Sequence, residues 1–151
     1  MGPNLSVKVR TLELRLCVKQ VYKQIAQTII KKGSTSENGQ SLAVVKLHPG
    51  AQLLTRATAA SAGLDIATYQ NIILQPGEIQ KVSTGISISL PHRTCGRLIG
   101  RSRNTINKMI DVKGGLIDAD YTGEIKVLLH NFGTQPQHFH KGDRIAQLVM
   151  E

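Results

Sequence analysis

The chain has 151 residues with two cysteines, no tryptophan and few aromatics, which is the length of one domain with one core. Cys17 and Cys95 exclude a disulfide framework and give no metal-binding spacing, no apolar run approaches the ~18 residues of a membrane span, and no signal peptide is visible, so a soluble, intracellular protein with reduced thiols is expected. The net charge of +9 is compatible with nucleic acid, a membrane surface or a polyphosphate ligand and does not choose among them.

Residues 1–41 carry seven Lys/Arg against two Asp/Glu, and residues 42–151 carry twelve against eight, so the basicity is concentrated at the N-terminus. Val7 and Val9 alternate as in a short strand. From Leu12 the apolar spacing becomes helical through Leu14, Val18, Val21, Tyr22, Ile25 and Ile29, with Lys19, Lys23, Lys31 and Lys32 mainly on the other side. Gly33 follows where a helix C-cap is expected. Such a basic amphipathic helix either contacts nucleic acid or a membrane surface, or packs on its own domain or a partner subunit with its lysines in water. Residues 33–41, Gly-Ser-Thr-Ser-Glu-Asn-Gly-Gln-Ser, read as a flexible linker. The chain therefore divides into a basic extension, 1–41, and a second unit, 42–151.

In the second unit the pattern changes to short strands with turn punctuation. Strands are expected at 44–47, 65–68, 72–74, 79–83, 86–90, 97–99, 125–129 and 145–149, separated by Pro49-Gly50, Pro76-Gly77, Gly85 and Pro91. A polar segment follows Ile99. Short strands at this spacing, rich in Ile, Leu, Val and Thr, indicate an all-β sandwich or barrel.

Four stretches in this unit carry chemistry-bearing residues. In Ser61-Ala62-Gly63-Leu64-Asp65-Ile66, small residues let backbone approach closely and one carboxylate follows. Gly96-Arg97-Leu98-Ile99-Gly100-Arg101-Ser102 offers a guanidinium fork and a hydroxyl for phosphate oxygens. Gly115-Leu116-Ile117-Asp118-Ala119-Asp120-Tyr121-Thr122-Gly123-Glu124-Ile125 reads as a β-hairpin around a tight acidic turn. Asp118 there can hold a water, and Tyr121 offers a flat face to a ligand. Lys141-Gly142-Asp143-Arg144-Ile145-Ala146-Gln147-Leu148-Val149 is a turn into a strand carrying one amide. Taken singly, each also reads as an ordinary turn with solvated side chains.

In their order and spacing, Ala62-Gly63-Leu64-Asp65-Ile66, Gly100-Arg101-Ser102, the 115–125 stretch and Gly142-Asp143-Arg144-Ile145-Ala146-Gln147-Leu148 resemble motifs one to four of the trimeric dUTP pyrophosphatases (dUTPases). The resemblance covers the chain from about residue 42. It implies a β jelly-roll or barrel subunit, a homotrimer with three active sites at subunit interfaces, and hydrolysis of dUTP to dUMP and pyrophosphate with Mg²⁺, limiting uracil incorporation into DNA. The leading helix lies outside this β domain. Carried over residue by residue, Asp118 would deprotonate the water that attacks the α-phosphorus. Tyr121 would pack under the deoxyribose and leave no room for a 2′-hydroxyl. The backbone from about 112 to 117, including Gly115, Leu116 and Ile117, would pair with the uracil edge, rejecting cytosine by donor/acceptor mismatch and thymine by its methyl group. Ser102 and Gln147 would hold phosphate oxygens with Arg101 in support. Asp65 would stand behind them, ordering Mg²⁺ waters or a neighbouring arginine. The metal itself would be held mainly by the triphosphate.

The sequence departs from the family pattern at three places. Arg103 follows Ser102 where a glycine is usual, and Met109 stands where a glycine usually precedes Ile110-Asp111-Val112. The sequence ends at Glu151 without the glycine-rich fifth motif that closes over the site, so slower turnover is expected. A second reading uses the same residues: a catalytically impaired, dUTPase-like trimeric module contacting nucleic acid through residues 1–41. The related dCTP deaminases share the fold, but Ile117-Asp118-Ala119-Asp120-Tyr121 follows the pyrophosphatase style. A basic segment ahead of such a domain is also similar to the arrangement in retroelement and retrovirus polyproteins.

Overall fold

The computed structural model describes residues 8–13, as backbone, and residues 41–151. Among these residues the fold is all-β and jelly-roll-like, with thirteen strands and one short helix. In chain order the strands are β1 (Lys8–Glu13), β2 (Ser41–Lys46), β3 (Thr55–Arg56), β4 (Leu64–Ala67), β5 (Ile72–Leu74), β6 (Ile79–Ser83), β7 (Ile86–Ser89) and β8 (Gly96–Ile99). Helix α1 (Ser102–Lys108) follows, then β9 (Ile110–Lys113), β10 (Leu116–Ile117), β11 (Lys126–Asn131), β12 (Gln137–Phe139) and β13 (Arg144–Met150).

The strands form four hydrogen-bonded sheets: β1-β2-β7, β10-β8-β13-β4-β3, β6-β11-β9 and β12-β5. All pairings are antiparallel except β1 with β2, which runs parallel from Lys8 opposite Ser41 to Glu13 opposite Lys46. Side-chain alternation explains the burial. In β11, Val127, Leu129 and Asn131 point inward while Lys126 and His130 do not. Central β4, flanked by β3 and β13, is buried at all four positions. One apolar core results, built on Val44, Ile66, Leu98, Ile110, Val127, Leu129, Phe139 and Leu148 among others. The buried Asn131 amide satisfies itself locally, donating to Leu74 O at 3.0 Å and Gln135 O at 2.8 Å.

Three sequence expectations come out differently. Residues 115–125 are not a hairpin. Leu116 and Ile117 pair with Arg97 and Gly96 of β8, whereas β11 pairs with β6 and β9. The acidic turn therefore links two sheets, and Ile117 and Ile125 at its flanks each enter the core on their own. The polar segment after Ile99 contains α1, whose inward position is Asn104 rather than an aliphatic residue, so no hydrophobic period announces it. Leu12 and Glu13 belong to β1; the rest of the expected N-terminal helix, Cys17 and nearly all of the linker lie outside the described residues.

Candidate active site

The first group of predicted residues gathers around Asp65. It sits on the central strand β4 and is 3% exposed, so its charge needs partners. Arg101 Nε lies 3.3 Å from Oδ1 and Arg144 Nη1 lies 3.1 Å from Oδ2, and Gln147 Nε2 donates to Oδ1 at 3.3 Å. Register explains the meeting: Gln147 on β13 stands opposite Asp65 on one side and Ile99 of β8 on the other. Gly63 keeps the space clear, since a Cβ there would lie 3.2 Å from Gln147 Cβ. The two contacts to the arginines are at ion-pair distance without full hydrogen-bond alignment. One carboxylate thus orients two guanidinium groups and one amide.

Ser102 is the first residue of α1, exposed and with its hydroxyl free of partners among the described residues. Arg103 is also exposed on the first turn and points no contact inward. It adds a positive charge beside Ser102, and the first turn of α1 carries no acidic residue to offset it.

A second group lies at the edge strand β10. An open cleft of about 450 Å³ is walled by Gly115, Leu116, Ile117, Tyr121 and Leu98, with Lys81, Lys113 and Lys126 around it. Gly115 makes the approach possible: its φ is +100°, and a Cβ would lie 2.4 Å from Leu98 O. Its own carbonyl accepts from Leu98 N at 2.7 Å. The turn after β10 is closed by Tyr121 N donating to Asp118 O at 3.0 Å. The Tyr121 hydroxyl then donates to Glu124 O at 2.8 Å, which lays the ring over Gly123, where a Cβ would meet the hydroxyl at 2.5 Å. Half of the ring stays exposed toward the cleft. Asp118 is exposed, and its carboxylate has no hydrogen bond or ion pair among the described residues, leaving it free to bind a water.

Near the cleft, Asp111 is held below the usual carboxylate range. The cause is first a 3.0 Å hydrogen bond from Lys113 and then one from Val112 N at 2.8 Å, working against partial burial. Arg97 and Glu151 shift apart through their mutual bidentate contact, the guanidinium upward and the carboxyl downward.

The structure therefore brings Asp65, Arg101 and Gln147 together and, separately, Gly115, Leu116, Ile117 and Tyr121. It does not join the groups. In the sheet order β10-β8-β13-β4 Asp65 stands three strand spacings from the cleft strand β10, about 14 Å, and Gln147 two, about 10 Å. Sequence reasoning gave Arg144 no role, because nothing in its spacing announces the pairing with Asp65. Its position within the fourth motif was the available signal.

Comparison with known proteins covers most of the β unit. A dUTPase family model matches residues 50–151. The chain is similar to the deoxyuridine 5'-triphosphate nucleotidohydrolase of Mus musculus, 40% identical over 120 residues that cover 80% of this chain and 74% of that protein. It is likewise similar to the enzyme of that name from Paramecium bursaria Chlorella virus 1, 41% identical over 111 residues, covering 74% and 79%. Among solved structures, the Staphylococcus bacteriophage 80alpha dUTPase with dUPNHPP superposes with a TM-score of 0.70 at 25% identity, covering 73% of this chain and 81% of that one. A phage phi11 dUTPase with a structural Mg(II) ion has the same fold, with a TM-score of 0.70 at 24% identity, covering 73% and 89%.

Proposed function

The chain belongs to the dUTPase family, and from that premise we propose that it hydrolyses dUTP to dUMP and pyrophosphate with a water activated by Asp118. The observation that carries this reading is the cleft walled by Gly115, Leu116, Ile117 and Tyr121, with Asp118, its carboxylate unengaged among the described residues, next in the chain after Ile117. Strand-edge amides and carbonyls there would read the uracil edge, and the Tyr121 ring would lie under the deoxyribose. Asp118 would take the proton of the attacking water, a role that requires reach and an available lone pair before it requires a shifted pKa. Arg101, Ser102, Gln147 and Arg144 would hold the triphosphate. Asp65 is engaged by both arginines and Gln147, which favours arginine orientation over metal-water ordering as its role.

Mg²⁺, when bound, would neutralise phosphate charge and fix the triphosphate conformation. Among the described residues no three His, Cys, Asp or Glu side chains gather to cage a metal, which fits an ion held mainly by triphosphate oxygens. Because the lining of the uracil cleft includes none of Arg101, Ser102, Arg144 and Gln147, a complete site would form between subunits of a homotrimer. Division of the chain at 41/42 into a basic segment and a catalytic domain is part of the same proposal; limited proteolysis is expected to cut first within 33–41, and first cuts elsewhere would count against it.

Pyrophosphate release from dUTP, with and without Mg²⁺, tests the activity against dCTP, dTTP and UTP. Release from dUTP alone is expected. Tight dUTP binding without release would replace the enzyme by a binding module, and deamination of dCTP would overturn the reading.

A further inference from the structure

The strand carrying Arg144 and Gln147 changes neighbours partway along. The β8 ladder covers β13 only from Gln147 to Met150. On the β4 side the register slips between Arg144 and Ala146, a bulge of the kind that re-aims a side chain next to a site. At this point α1 takes over from β8. Asn104, 7% exposed and the buried residue of α1, donates from Nδ2 to Arg144 O at 3.1 Å. Arg101 Nη1 reaches the same carbonyl at 3.5 Å. Beside Asn104, Thr105 Oγ1 contacts Arg101 O at 3.3 Å and Ile110 O at 3.1 Å.

We propose that Asn104 is a positioning residue for triphosphate binding: its buried amide fixes the β13 bulge at Arg144, so that the Arg144 guanidinium and the Ser102 end of α1 are held in one geometry. The argument rests on the dUTPase reading of the Asp65 cluster. A buried amide is costly unless used, and this one is spent on the backbone of the residue whose side chain meets Asp65 3.1 Å away. It also sits two residues after Ser102, so the same hydrogen bond ties the hydroxyl to the arginine. An apolar residue at this position would remove the amide's bond to that carbonyl and leave the long contact from Arg101 as its side-chain partner.

The test compares Asn104→Leu and Asn104→Asp with the wild-type chain; both are close to Asn in size, and the second turns the donor into an acceptor facing a carbonyl. Affinity is measured for a non-hydrolysable dUTP analogue, for dUMP and for inorganic tripolyphosphate, alongside Tm. Expected is about a tenfold loss for the analogue and for tripolyphosphate with dUMP affinity within twofold, because dUMP relies on the cleft; Asn104→Gln, which restores an amide, recovers part of the loss. Unchanged analogue and tripolyphosphate affinity in variants that melt cooperatively would overturn the proposal. So would equal losses for dUMP, which would mark a general structural defect. Failure of the wild-type chain to hydrolyse dUTP would count against the activity reading alone, since tripolyphosphate binding still reports on Asn104.

Discussion

Asp118 and Tyr121 are separated by two residues yet meet different demands. The turn is pinned through the backbone of Asp118 and the hydroxyl of Tyr121, so the carboxylate is positioned without being consumed. Asp118→Asn should therefore lower kcat for dUTP by about 10³-fold with little change in analogue affinity, measured by steady-state turnover and calorimetry. Two backbone positions carry opposite predictions. Gly115→Ala forces a Cβ into Leu98 O at a positive φ and should destabilise by about 3 kcal/mol, read as a lower urea midpoint. Met109 is the C-cap of α1 with φ 54° and ψ 42°, a left-handed conformation that a side chain resists. Met109→Gly should raise stability by about 1 kcal/mol, the relief of strain exceeding the added chain entropy. The glycine that the resemblance leads one to expect at this position would have its physical reason in that dihedral angle.

At the scale of elements, the Asp65 cluster joins β4, α1 and β13 through one carboxylate. Replacing it by Asp65→Asn leaves two guanidinium groups facing a neutral amide. Arg101 is mostly buried while half of Arg144 is solvated, so the loss should be about 2 kcal/mol, below the full cost of breaking a buried pair; thermal unfolding measures it. Strand existence was legible in the sequence wherever alternation was regular, as in Ile86–Ser89 and Lys126–Asn131. Pairing was not. The acidic turn looked like a hairpin because local sequence gives a strand's faces and turn, while the partner of Leu116-Ile117 is chosen by β8 some twenty residues earlier. Helix α1 was invisible for a related reason: its inward residue is polar and bonded to a carbonyl that only the tertiary fold brings near. The motif residues Asp65, Arg101 and Gln147 were readable as a set, but their mutual contacts, and Arg144 among them, required the sheet.

At the scale of the molecule, the distance between cleft and arginine cluster makes a site shared by subunits the central structural prediction. If Asp118 acts with another subunit's Arg144, two inactive variants should complement. Asp118→Asn and Arg144→Ala chains, mixed equally, unfolded and refolded together, should regain about a quarter of wild-type activity through random assembly of symmetric trimers. Sites contained within one chain would regain none. Among the described residues no helix is long and apolar enough to cross a membrane.

The parallel strand β1 has a consequence of a different kind. It covers the outer edge of β2 from Ser41 to Lys46, a segment whose Leu42, Ala43, Val44 and Val45 favour extended pairing with any neighbour. With β1 in place that edge is occupied by the chain's own backbone. A shortened chain starting at Leu42 would carry every residue assigned to the site and yet present an open ladder to other molecules, making it prone to self-association during expression and storage.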